Sequence, residues 1–337
     1  MTKIGVLLVN IGTPALPKRK AIGTFLKEFL SDPRVMDIPA LYRYCILYLL
    51  VLPFRPRRIV PKYRRIWTER GSPLTVNGLD LARKVAQKLG SGYAVETAMR
   101  YGEPSIKFGL DRLLSQKVHR LTVVPLMPQY ASATTGTIVE KVFDTIRKQS
   151  YFPEVVVKNS FYDHSLYIDS VATVGRKYWG EKPDHILFSF HGLPRNQLRK
   201  TEMQQGFCFG EQDCCNRIQD DNFACYRAQC FATAREIAAA LTIPRETYSV
   251  AFQSRFGRAE WIGPHTNDTI QTLARRGVER LVVFCPSFVA DCLETLEEIQ
   301  WEGKRLFERN GGKELILVPS LNTEPVWIDA LSAIIAE

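Results

Sequence analysis

Apolar residues along this chain fall into two kinds of run. Short continuous runs such as Gly5-Val6-Leu7-Leu8-Val9 and Ile186-Leu187-Phe188-Ser189-Phe190 alternate with longer segments whose apolar positions recur at helical spacing. A continuous apolar run bounded by turn residues suits a parallel strand covered on both faces. Strands are predicted at 4–9, 93–98, 120–125, 155–158, 186–190, 247–252, 280–286 and 314–318. Helices are predicted at 79–89, 105–116, 136–149, 165–178, 230–241, 266–276 and 292–309, long enough to serve as crossovers between parallel strands. A last amphipathic segment, Pro325 to Ala336, is expected to fold back on the body.

Two local echoes organise these elements. The strand ending in Asn10-Ile11-Gly12-Thr13-Pro14 resembles the strand ending in Phe190-His191-Gly192-Leu193-Pro194, with Gly and Pro two apart in each. The run Arg120 to Pro125 resembles Arg280 to Pro286, each followed by a loop and a helix. The expected fold class is therefore α/β, with two similar Rossmann-like lobes, each a doubly wound parallel sheet. The expected divisions are an N-terminal lobe at 1–160, a C-terminal lobe at 161–322 and a C-terminal helix at 323–337. A flat ligand would suit a cleft between strand ends, where open α/β sheets bind their ligands.

Residues 38–65 break this rhythm. Tyr44 to Phe54 is apolar almost throughout and is followed by Arg55, Arg57, Arg58, Lys62, Arg64 and Arg65. Eleven residues are too few to cross a bilayer. Aromatics beside a basic cluster fit contact with a membrane surface, or a lip over an apolar ligand, against the plainer alternative of a core helix. The net charge of +10 favours an anionic partner, and no DNA- or RNA-reading motif accompanies it, so nucleic acid is not expected. The N-terminus enters an apolar strand with no signal-peptide pattern, which points to the cytoplasm, with peripheral contact at the inner face of the cytoplasmic membrane.

Three groups of residues bear chemistry. His191 ends a buried strand, where it either faces a ligand or caps the strand. Asp291, Glu294 and Glu298 stand at i, i+3 and i+7, and a shared helical face would let them pass a hard divalent metal or protons; a solvated helix face is the plainer reading. Five of the eight cysteines fall between 208 and 230, as Cys208, Cys214, Cys215, Cys225 and Cys230. In a cytoplasmic protein such a group reads as metal-binding rather than disulfide-bonded. The spacing lacks the paired C-x2-C knuckles of zinc ribbons and favours a [2Fe–2S] cluster, with zinc and free thiols as alternatives. Cys45, Cys285 and Cys292 stand alone and read as packing residues. Arg100 would suit a ligand carboxylate or an internal salt bridge, and Trp261 a flat aromatic ligand or the core.

Taken together and in this order, Asn10 to Pro14, Arg100-Tyr101, Pro128-Gln129-Tyr130 with Thr134-Thr135-Gly136, Ser189 to Pro194, Gln253 to Gly257 with Trp261, and Asp291 to Leu296 resemble the ferrochelatases nearly end to end. The resemblance implies insertion of Fe2+ into protoporphyrin IX, with release of two protons, as the terminal step of haem biosynthesis. It implies His191 and Glu294 as catalytic residues and ligands of the substrate iron, with Asp291 and Glu298 relaying protons or metal. It places Asn10, Ile11, Arg100, Tyr101, Tyr130 and Trp261 against the porphyrin, and the lip at a membrane face. Animal-type members complete a [2Fe–2S] cluster with C-terminal cysteines and one in the Gln-Tyr-x-Cys loop. Here that loop carries Ser132 and the C-terminus has no cysteine, so a cluster would be built within the insertion at about 200–230. Its ligands would be Cys208, Cys214, Cys215 and Cys225, with Cys230 as a substitute. The competing readings are a non-catalytic haem or tetrapyrrole carrier with a redox-sensing cluster, and a chelatase for coproporphyrin or another metal. The oligomeric state has no signature in the chain.

Overall fold

Among the described residues, eight strands form two four-stranded sheets, every neighbouring pair parallel. The computed structural model describes residues 3–179, 183–201, 214–257 and 259–337. The first sheet contains β1 (Ile4–Gly12), β2 (Tyr93–Tyr101), β3 (Arg120–Pro125) and β4 (Glu154–Val157), in the order β2-β1-β3-β4. The second contains β5 (His185–His191), β6 (Tyr248–Gln253), β7 (Arg280–Phe284) and β8 (Glu314–Leu317), in the order β6-β5-β7-β8. The two orders correspond strand for strand, as the sequence echoes predict. In each sheet the winding reverses once, between β1 and β3 and between β5 and β7. Such a reversal splays the crossovers apart and opens a crevice at the carboxyl ends of the two strands.

Val6, Leu7, Leu8 and Val9 are all fully buried, which explains why β1 reads as a continuous rather than alternating apolar run. Each such side chain contributes about 1.5–3 kcal/mol when removed from water. Leu187, Leu281 and Val283 build the matching core of the second sheet with Ile270, Ile299 and Phe307. One compact unit comprises Met1–Met127, Ala131–Ser160 and Ile328–Glu337, and the other comprises Pro128–Tyr130 and Phe161–Trp327.

Several helical segments depart from expectation. The helix Arg19–Ser31 is additional, although its buried Ile22, Phe25, Leu26 and Leu30 carry the spacing of one helical face. Residues 40–66 form a helical run whose central part, Ile46–Val51, is a π-helix. Leu47 and Val51 are buried, while Leu41, Leu49, Leu50 and Phe54 are exposed, so the run presents an apolar face to solvent instead of closing into the core. The expected helix at 292–309 is a turn Leu293–Thr295, a π-helix Leu296–Gly303 and an α-helix Lys304–Arg309. The i→i+5 ladder of a π-helix is rare and frequently marks functional segments.

Candidate active site

β5 carries His191 to its carboxyl end, with β6 on one side and the winding reversal at β7 on the other. Gly192 follows because the chain has no room for a side chain there. A Cβ at that position would lie 2.8 Å from the Gln253 carbonyl oxygen and 3.1 Å from the Trp261 ring. The close approach lets the Gly192 N–H donate to that carbonyl at 2.8 Å. The half-buried imidazole sets its Nδ1 2.6 Å from the Gly192 carbonyl oxygen. A carbonyl only accepts, so Nδ1 carries the hydrogen and Nε2 keeps a bare lone pair. Burial lowers the imidazole pKa below its usual 6.5, against the opposing pull of Glu294 and the Gly192 carbonyl. The ring is therefore held neutral, in the state needed to take a proton or bind a metal.

The second polar group arrives on the loop after β7. The backbone passes through Cys292, extended at φ −148°, into the turn Leu293–Thr295 and the π-helix beyond. Glu294 is half-buried in that first turn, close enough for its charge to act on His191. The Cys292 thiol, expected as a packing group, hydrogen-bonds the Glu294 carboxylate, and burial together with that charge pushes its pKa up. Cys45, likewise expected to pack, is exposed. Glu298 accepts from Ser254 Oγ at 2.6 Å and from Gln253 Nε2 at 3.3 Å.

Asp291 does not share the helical face on which the spacing placed it. It precedes the helix, is buried, and accepts from Thr295 Oγ1 (3.0 Å), the Ser320 N–H (3.2 Å) and Asn322 Nδ2 (2.7 Å). Those donors satisfy both carboxylate oxygens, so Asp291 ties the loop after β7 to the loop after β8. Gln253, quoted in the sequence only as part of a motif, is the hub of the site. Its Oε1 accepts from Ser189 Oγ (2.7 Å), its Nε2 donates to the Glu294 carbonyl (2.8 Å), and its own carbonyl holds Gly192. Tyr226 and Ser287 also join the site: the Tyr226 hydroxyl lies 2.8 Å from the His191 carbonyl oxygen and 3.0 Å from Ser287 Oγ. Nothing in the local pattern around Tyr226 marks it, because its partners come from other strands.

Trp261 lies against this loop, its Nε1 donating to the Phe256 carbonyl at 2.8 Å and its backbone bridged to Pro194. Tyr130 is half-buried, and its N–H donates to Gln229 Oε1 at 2.7 Å. In the first unit, Asn10 and Ile11 are half-buried at the end of β1, where Asn10 Oδ1 accepts from the Ile11 N–H at 2.9 Å. Gly12 beside them has φ +118°, a conformation that favours glycine, and a Cβ there would collide with the Tyr101 carbonyl. Arg100 and Tyr101 are engaged internally. Arg100 Nη2 donates to Asp32 Oδ2 at 2.6 Å, and the fully buried Tyr101 hydroxyl donates to the same oxygen at 2.8 Å. The Tyr101 side chain thus supports this corner of the unit and offers no surface to a ligand.

The cysteine-rich segment is described from Cys214 onward, and Cys208 lies outside the described residues. Cys214 Sγ is 3.8 Å from Cys215 Sγ, the Cys215 and Cys225 thiols hydrogen-bond, and Cys230 is fully buried nearby. Asn222 shapes the loop, donating to the carbonyls of Cys214 (2.7 Å) and Arg217 (3.0 Å). Arg227 Nη1 reaches Cys215 Sγ at 3.0 Å, and Arg235 Nη1 the Cys215 carbonyl at 3.0 Å. Among the described residues no group of three or more His, Cys, Asp or Glu side chains is arranged to hold a metal ion. No helix among them is long and apolar enough to cross a membrane.

Residues 3–337 match the family model described as Ferrochelatase. The ferrochelatase of Coxiella burnetii (strain Dugway 5J108-111) is 44% identical over 331 residues, covering 98% of this chain and 92% of that protein. The ferrochelatase of Legionella pneumophila (strain Lens) is 41% identical over 333 residues, covering 99% and 98% respectively. Among solved structures, SirB from Bacillus subtilis with Fe3+ has a TM-score of 0.55 at 12% identity, covering 98% of this chain and 94% of that one. The cobalt complex of the sirohydrochlorin chelatase SirB from Bacillus subtilis subspecies spizizenii has a TM-score of 0.51 at 12% identity, covering 100% and 95%. At such identity these two structures establish the fold and nothing further.

Proposed function

This chain belongs to the ferrochelatase family, and from that premise we propose that His191 and Glu294 are where it inserts Fe2+ into protoporphyrin IX. The observation that carries the assignment of residues is the locked neutral imidazole at the winding reversal, with a carboxylate acting on it. Insertion exchanges two pyrrole N–H protons for one Fe2+. The bare Nε2 of His191 accepts the two pyrrole protons one after the other, and the Glu294 carboxylate stabilises each imidazolium and takes its proton onward before the next transfer. Glu294 offers a hard oxygen donor to the incoming ion, and His191 Nε2 offers a borderline nitrogen donor only while it carries no proton. Glu298, two residues of hydrogen-bonded support away through Ser254 and Gln253, relays protons or metal. Asn10, Ile11, Tyr130 and Trp261 keep enough exposure to contact the macrocycle, whereas Arg100 and Tyr101 act by holding the end of β2. The exposed Leu41, Leu49, Leu50 and Phe54 beside Arg57 and Arg58 support peripheral contact with a membrane and favour the less carboxylated protoporphyrin over coproporphyrin.

Anaerobic protein given protoporphyrin IX and Fe2+ is expected to quench porphyrin fluorescence and develop a haem spectrum over many turnovers. Tight porphyrin binding without turnover would overturn the assignment in favour of a carrier. The comparison is repeated with coproporphyrin, and faster turnover of that substrate would reverse the preference ascribed to the lip.

The cysteine nest offers the residue type that a [2Fe–2S] cluster needs. Thiols from two segments lie together; the Cys225 hydrogen bond and burial hold the Cys215 thiol protonated in the unligated nest, and Arg227 Nη1, directed at its sulfur, would balance the thiolate charge that metal binding requires. Cys208, Cys214, Cys215 and Cys225 are the residues that would hold it, with Cys230 in reserve. When bound, such a cluster supplies a one-electron redox centre. Anaerobically purified protein is expected to be brown, with about two iron and two sulfide per chain, and Cys214→Ser to be colourless. Retention of colour, iron and sulfide in that variant would refute the ligand set.

A further inference from the structure

The peptide between His191 and Gly192 is held from both sides. Its N–H donates to the Gln253 carbonyl at 2.8 Å, and its carbonyl accepts from the Tyr226 hydroxyl at 2.8 Å. Because the Tyr226 proton is committed to that carbonyl, the contact at 3.0 Å runs from the Ser287 hydroxyl to the Tyr226 oxygen. A directed chain, Ser287 to Tyr226 to the His191 carbonyl, therefore ends on the peptide whose rotation would carry the next carbonyl, that of Gly192, away from His191 Nδ1. That next carbonyl is what keeps the hydrogen on Nδ1. Tyr226 and Ser287 are both buried, so no bulk water competes for the carbonyl. Tyr226 also opens the helix Tyr226–Ala240, directly after Cys225, with Cys230 packed beside its hydroxyl. Its ring is thereby held between the cysteine nest and the active-site loops.

We propose that Tyr226 is a positioning residue for iron insertion: by pinning the His191–Gly192 peptide it selects the tautomer of His191 that leaves Nε2 bare. The proposal rests on His191 being the proton acceptor. The acceptor is oriented through the main chain, by a buried residue that bonds the His191 carbonyl and not the imidazole.

The test uses the full-length protein labelled with 15N-histidine, wild type and Tyr226→Phe, a change that removes one oxygen and keeps the ring. In wild type the neutral His191 is expected as the Nδ1–H tautomer, with its signal assigned by loss in His191→Ala. Tyr226→Phe is expected to populate the Nε2–H tautomer and to lower kcat roughly 10- to 100-fold, with the porphyrin KM within about twofold. A merely structural role would lower folded protein and KM alike without changing the tautomer. An unchanged tautomer, or an unchanged kcat, in folded Tyr226→Phe overturns the proposal. Should that variant not fold, Ser287→Ala decides: it removes the donor that orients the phenol, and a tautomer identical to wild type overturns the proposal equally. Failure of the underlying reading looks different, because His191→Ala would then keep its turnover whatever the tautomer data show.

Discussion

Replacing His191 by alanine is expected to lower kcat for iron insertion by about 10²- to 10⁴-fold, with porphyrin affinity within a few-fold of wild type. The size follows from what the ring supplies, a proton acceptor already neutral and already aimed. The split between kcat and binding follows from its place at a strand end, where the half-buried ring meets Phe288 edge-on at the rim of the core. Fluorescence titration gives the affinity and the haem spectrum gives the rate; wild-type turnover in the variant would refute the assignment. The pH dependence carries a sign. Burial is the largest influence on His191 and lowers its pKa below 6.5, while Glu294 and the Gly192 carbonyl pull the other way. A base works when unprotonated, so activity is full above the folded pKa and the acid limb lies below 6.5. The same depression means that the unfolded chain binds more protons at mildly acid pH, so this group's contribution to stability falls as pH drops through 6.5. Glu294→Gln removes the influence that raises the pKa, and it should move the acid limb further down even as it slows the reaction.

The fold was legible because it is written in short-range pattern. A run such as Val6 to Val9, with no polar residue facing either way, is compatible with a strand buried on both sides, and the paired echoes around Gly12 and Gly192 disclosed the duplication. His191 was legible for the same reason, since an abrupt end to an apolar strand is local information. What sequence could not resolve was partnership across distance. The spacing of Asp291, Glu294 and Glu298 suits one helical face only if the helix begins before Asp291, and the extended Cys292 delays it. Asp291 is drawn away by Asn322 and Ser320, some thirty residues on, through loop geometry that periodicity does not encode. Tyr226 was invisible because a buried tyrosine opening a helix is ordinary. Its significance lies in the His191 carbonyl, a main-chain atom that no side-chain motif records.

Arg100 is the sharpest case of that kind, and the network around it yields the largest expected effect on stability. Asp32→Ala is expected to destabilise the first unit by about 3–5 kcal/mol, because it strands a buried guanidinium without its counter-charge. Asp32 Oδ2 accepts from Arg100 Nη2 (2.6 Å), Tyr101 Oη (2.8 Å) and Thr137 Oγ1 (2.6 Å), and its Oδ1 from the Arg34 N–H (2.8 Å). The two charged side chains are 13% and 6% exposed, for Arg100 and Asp32, so solvent screening discounts little of this. Desolvation alone would raise the Asp32 pKa, but the hydrogen bonds from Thr137, Arg34 and Tyr101 and the charge of Arg100 together hold it below 3.8. A depressed carboxyl stabilises the fold above its unfolded pKa of about 3.9, and that contribution is lost as pH falls through the lower folded value. The urea midpoint of Asp32→Asn should therefore lie well below that of wild type at neutral pH, with the gap closing as the pH is taken below about 4. In an Arg100→Met background Asp32→Ala should cost less than half as much, because no buried cation remains to be stranded. Additive costs in that cycle would mean that the two side chains act independently, and Arg100 would again be available to a ligand carboxylate.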